Sequence, residues 1–136
     1  MQNEEIEIRL ENADMIYNVF GNWTNEVDFK LTCNDPFDFK NTYGTTLELT
    51  KTSEPDVYKV NKVIEPSNFT TRRFLLNNSL KESEYRIIGD EVMKIGGFWE
   101  VIFGGYAMVN IPKGSTFNLD EILELLPQPL TEITDN

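Results

Sequence analysis

The 136-residue sequence contains no histidine and a single cysteine. The first absence removes the commonest general base and the commonest metal ligand together, so serine or cysteine triads built on histidine are excluded. With Cys33 alone, no intrachain disulfide forms and a zinc site would need almost wholly carboxylate ligands, a poor match to zinc. Cys33 stands beside Asn34 and Asp35, without cations to lower its pKa, and reads as an inert, partly buried thiol. Long apolar runs are also missing, and the opening Met-Gln-Asn-Glu-Glu lacks the basic-then-apolar order of an export signal. The expectation is a cytoplasmic protein without a membrane segment, in which the Asn-X-Ser/Thr patterns at Asn22, Asn68 and Asn77 carry no sugar.

Phosphate loops and calcium loops are absent too. Gly96-Gly97 and Gly104-Gly105 are not followed by Gly-Lys-Ser/Thr, and no acidic loop has the central glycine of a helix-loop-helix calcium site. The glycine pairs read as a helix stop and a hairpin turn. Carboxylate pairs such as Asp35 with Asp38, or Glu48 with Glu100, are abundant enough to arise without catalytic meaning. We therefore expect no catalytic residue, no cofactor, no metal and no enzymatic activity.

What is present is negative charge, unevenly distributed. Residues 1–50 hold ten carboxylates against three cations, residues 51–113 are nearly balanced, and five acids with no base follow Lys113. The net charge is −11. Such a surface repels phosphate backbones and anionic lipid and steers basic proteins toward it. Arg72-Arg73 beside Phe69 and Phe74 fits a stacking site for single-stranded nucleic acid, but in so acidic a chain the two arginines are better assigned to carboxylate partners across strands.

With 40% apolar and 12% aromatic residues the chain has the means to build a core. Its length predicts one domain over 1–127, with a flexible acidic tail over 128–136. Ile6, Ile8 and Leu10 alternate with charged residues as a strand does, and so do Val27, Phe29 and Leu31. Residues 12–23 fit either a short helix or a second strand. Residues 45–50 and 57–64 form a hairpin, and 69–76 reads as the third strand of the same meander. Ser79-Leu80-Lys81-Glu82 has the form of a helix cap, predicting an amphipathic helix over about 79–95 ended by Gly96-Gly97. Gly89-Asp90 leaves a hairpin over 85–95 as the alternative. Phe98–Phe103 and Tyr106–Ile111 flank Gly104-Gly105 as a hairpin of strands covered on both faces, and Asn118 begins a short helix over about 118–126. The expected fold is α+β: an antiparallel sheet of about five to seven strands with two helices on one face.

Aromatics set among acids give the candidate contact surface: Trp23, Glu26, Asp35, Phe37, Asp38, Phe39 and Tyr43. Aromatic rings supply rigid contact area, and the surrounding carboxylates pair with lysine and arginine of a partner. The same residues also suit a core cap and solvated loops. The functional expectation is a stoichiometric inhibitor of a basic protein such as a nuclease toxin or a host defence protein, of the physical type of bacterial toxin-neutralising immunity proteins or phage anti-defence proteins. The alternative is a small-molecule-binding or sensing β-rich domain with its ligand near Trp99, Phe103 and Tyr106.

Overall fold

Five consecutive strands joined as antiparallel neighbours bring the first and last into the same direction, so a sheet of this kind can close only through a parallel pair. The computed structural model, which describes residues 4–38, 40–76, 80–102 and 105–134, has this closure. Strands β1 (Ile6–Asn12), β2 (Met15–Trp23), β3 (Asp28–Leu31), β4 (Thr46–Lys51) and β5 (Val57–Glu65) form a closed barrel in that order. The closing pair, β1 with β5, is parallel, with Arg9 opposite Val57 and Leu10 opposite Tyr58. The chain divides into two compact units, 1–68 and 69–136, and the barrel is the first.

Alternation places Ile8, Leu10, Val19, Phe29, Leu31, Leu47 and Leu49 inside the barrel, where they are buried together with Cys33. Curvature comes from two irregularities in β5: the register against β4 shifts between Thr46 and Leu47 and again between Glu48 and Leu49, so β5 holds an extra residue at each place. Gly21 marks the tightest approach of β2 and β3, since a Cβ there would lie 2.2 Å from the Lys30 carbonyl oxygen.

The second unit is a four-stranded sheet in the order β7-β8-β6-β9, formed by β6 (Phe69–Leu75), β7 (Phe98–Ile102), β8 (Tyr106–Pro112) and β9 (Thr131–Ile133). Helix α1 (Glu82–Lys94) and the short α2 (Leu119–Leu123) pack with it around Phe74, Ile88, Val92, Val109, Leu119 and Leu126. The fold is α+β, as expected, and the described residues form nine strands in two sheets where one sheet had been expected. β6 does not continue the β4–β5 meander. After the break at Pro66 it pairs with β8 and β9. The expected division was one domain over 1–127 with a tail over 128–136; the chain falls into two compact units, and a short strand forms within 128–136. Residues 131–133 pair with β6, and Arg72 holds them with two 2.9 Å bonds to the Glu132 carboxylate and one to Asp120. This guanidinium keeps the Glu132 carboxyl below its usual range, chiefly by hydrogen bonding.

Residues 85–94 are helix, with Ile95 as the C-cap. Ser79 lies outside the described residues, and the helix is entered through extended Lys81, whose backbone N–H donates to the Glu84 carboxylate at 2.8 Å. At the other end Gly96, with φ +82°, donates to the Met93 carbonyl and Gly97 to that of Val92, a Schellman stop. Gly89 is explained by packing: a Cβ there would stand 2.7 Å from the Trp99 ring. The closely packed ring thus excludes even a methyl group from this position of the helix. β8 has four successive buried residues, Ala107 to Asn110, and is covered on both faces as expected. β7 is instead an edge strand with Val101 exposed, because β8 pairs it on one side alone. α2 ends at Leu123, short of the expected 126, where the chain tightens into three-residue turns reaching Leu126.

Gly89→Ala is therefore expected to destabilise the second unit, although alanine is the better helix former by about 1 kcal/mol. Overpacking against Trp99 costs about 1–3 kcal/mol. Urea denaturation followed by circular dichroism should give a lower midpoint for Gly89→Ala, and adding Trp99→Phe should cost less in that background than in the native one.

Candidate functional site

The six described candidate residues fall into two groups toward opposite ends of β2. Phe39 lies outside the described residues. Trp23, the last residue of β2, is half-buried and stands edge-on to Phe29 at 5.0 Å and to Tyr58 at 5.3 Å. Strand stagger explains the second contact: it brings the end of β2 and the start of β5 to the same mouth of the barrel. There an open groove of about 670 Å³ is lined by Trp23, Tyr58, Glu26, Glu48, Leu49 and Lys51, among others. Glu26 is exposed on the turn before β3, which Asn25 organises by accepting from the backbone N–H groups of Val27 and Asp28 at 2.9 and 2.8 Å.

The other group serves the loop between β3 and β4. Asp35, only 1% exposed, accepts hydrogen bonds from the backbone N–H groups of Phe37 at 2.9 Å and Asp38 at 3.1 Å, and from the Tyr17 hydroxyl at 2.8 Å. Asp38 in turn accepts from the Lys40 backbone and the Asn41 side chain. Asn34 accepts from the Tyr43 backbone at 2.9 Å, and the Tyr43 carbonyl accepts from the Ser67 hydroxyl. A segment without strand partners thus satisfies its amides with side-chain oxygens. Asp35 is consequently a structural anchor and not a surface carboxylate. Phe37 remains 41% exposed, its ring edge-on to Tyr17 at 4.8 Å.

Burial pushes the Asp35 carboxyl above its usual range, and the hydrogen bonds from Phe37 and Tyr17 draw it partly back. The Tyr17 hydroxyl is pushed far upward, first by burial and then by the adjacent Asp35 charge.

Sequence reasoning missed a third surface. On the outer face of the β1–β2 hairpin, Glu7 lies opposite Phe20 and Glu11 opposite Ile16, and Phe20 and Ile16 are 42% and 46% exposed. Apolar residues at outward positions of a strand are the signal that identifies this surface. They also blurred the alternation of residues 12–23, so the sequence left helix and strand undecided. Glu11 pairs with Lys59 at 3.5 Å, and Glu5 accepts from Thr32, while Glu7 is exposed.

Among the described residues no group of three histidine, cysteine or carboxylate side chains is placed to hold a metal ion, and no helix is long and apolar enough to cross a membrane. No family model and no curated protein matches the chain. Among solved structures it is similar to a hypothetical protein from Neisseria gonorrhoeae, with a TM-score of 0.58 over 91% of this chain and 86% of that one, at 14% identity. That likeness concerns the fold alone.

Because the folded state raises the Asp35 carboxyl above its unfolded value of about 3.9, folding takes up protons there. Its contribution is therefore most favourable at low pH and declines as pH rises through the folded-state value. Asp35→Asn should remove that decline: the stability difference between variant and native protein, measured by urea unfolding from acid to neutral pH, should shift in favour of the variant as pH rises. A difference independent of pH would contradict the assignment.

Proposed function

We propose that this protein is a non-catalytic binding module that captures a basic protein and acts as its stoichiometric inhibitor. The observation that carries the reading is the placement of charge on the barrel. Residues 1–68 hold thirteen acids against six bases, and Glu4, Glu5, Glu7, Asp14, Glu26, Glu54 and Asp56 are exposed there. Of the C-terminal acids, Asp120 and Glu132 neutralise Arg72, while Glu121 and Glu124 are exposed. At −7, against −4 for residues 69–136, the barrel is the more electronegative unit.

Charge alone sets the rate of encounter more than the final affinity. Apolar anchors are also needed, and exposed Phe20 and Ile16 supply them on either side of Arg9 and Asn18, with the Glu7 carboxylate beside Phe20 to pair with lysine or arginine and Glu11 engaged by Lys59. A basic toxin or a host defence protein has the complementary surface, and a bacterial or phage origin and a cytoplasmic setting accord with such a role. The alternative, a sensing domain with its ligand near Trp99 and Tyr106, draws less support. Trp99 packs with the residues of the second core and against Gly89 closely enough to exclude a methyl group, and Phe103 lies outside the described residues.

The test is capture from extract of the source cells by the immobilised protein at low and high salt. A basic protein retained at low salt and released at high salt is expected. Phe20→Ser should weaken its binding at least tenfold while leaving the thermal midpoint nearly unchanged, since the Phe20 ring is on the outer face. Failure to retain a basic protein at either salt, or full retention by Phe20→Ser, would overturn the proposal.

A further inference from the structure

We infer that the groove at the barrel mouth is a receptor for one arginine side chain of the captured protein, held between the Trp23 and Tyr58 rings and the carboxylates of Glu26 and Glu48. The inference rests on the reading above and adds a specific contact to it. The two rings meet at 63° with centroids 5.3 Å apart, which makes a corner of aromatic surface, and Phe29 supports Trp23 from a further side at 68°. A cation is attracted to such faces, and a guanidinium also stacks on them and forks onto carboxylates.

The carboxylates beside the corner are unfavourably arranged when no cation is near. Asp28 and Glu48 lie directly opposite one another on β3 and β4, where like charges repel. One Asp28 oxygen accepts from the Asn25 amide at 2.8 Å, while Oδ1 is buried with no hydrogen-bond partner among the described residues. Glu48 accepts from the Asn61 amide, a neutral donor, and has Lys62 opposite it on β5 with no ion pair formed between them among the described residues. Lys51 also lines the groove, but it is exposed to solvent, and Glu26 and Glu48 outnumber it. Aromatic faces, an apolar floor at Leu49 and excess negative charge match a cation carried on an apolar stem.

The test uses N-acetyl-argininamide as the probe and its citrulline counterpart, of nearly the same shape but uncharged, as the control. The readout is the indole N–H resonance of Trp23, assigned as the one that persists in Trp99→Phe. The arginine compound should shift it with saturation in the millimolar range, and the citrulline compound should bind at least tenfold more weakly. Glu26→Gln with Glu48→Gln should weaken the arginine compound about tenfold. These changes remove the repulsion from Asp28, so the variant is expected to remain folded, which its spectrum will show directly. Equal shifts from both compounds, absence of a shift, or undiminished binding by the double variant would overturn the inference. If the probe fails while Phe20→Ser still releases the basic protein, the groove is dismissed and the binding module stands. If the probe binds but extract yields no basic protein, the wider reading fails instead.

Discussion

Parallel pairing of β1 with β5 is the constraint from which the remaining features of the barrel follow. It converts a five-stranded meander into a closed wall, joined where Arg9 and Leu10 meet Val57 and Tyr58. It sets the stagger that carries Trp23 and Tyr58 to one mouth. It also forces every side chain to face either in or out, so that Ile8, Leu10, Val19 and Phe29 fill the interior while Glu7, Arg9, Asn18 and Phe20 face solvent. Gly21 and the irregularities of β5 are local adjustments that permit this closure.

Carboxylates in this molecule do three kinds of work, which their number alone does not distinguish. Asp35 and Asp38 replace strand partners for the amides of a loop. Asp120 and Glu132 neutralise Arg72 and fasten β9 to its sheet. Those left over, such as Glu7 and Glu26, lie exposed on the barrel, where apolar and aromatic side chains stand beside them. The dense acid content at both ends of the chain therefore does not make both ends alike, and the barrel retains the larger surplus, −7 against −4 for residues 69–136.

Strands with a strict polar-apolar alternation, such as β1 and β3, were legible because one face is buried and the other charged. β2 was not, since Ile16 and Phe20 are apolar at outward positions and break the period. The helix over 82–94 was readable from its glycine stop and its apolar stripe, but Gly89 argued against it until Trp99 was seen to occupy the space. The division into two sheets was hidden because pairing partners such as β6 and β8 are remote in sequence, and no local pattern specifies them. Among the candidate site residues, Trp23 and Glu26 were placed together at the groove. The burial of Asp35 was not legible for the same reason: it depends on Tyr17, eighteen positions away.

The Arg72 contacts bear on how the polypeptide tolerates alteration near its end. β9 covers the outer side of β6, so removing residues 131–133 would bare a row of amides on an otherwise interior strand and leave the guanidinium with Asp120 as its remaining carboxylate among those it now grips. A short segment that resembles a trailing appendage is in effect a seal. Affinity handles are better joined through a spacer that leaves this seal intact.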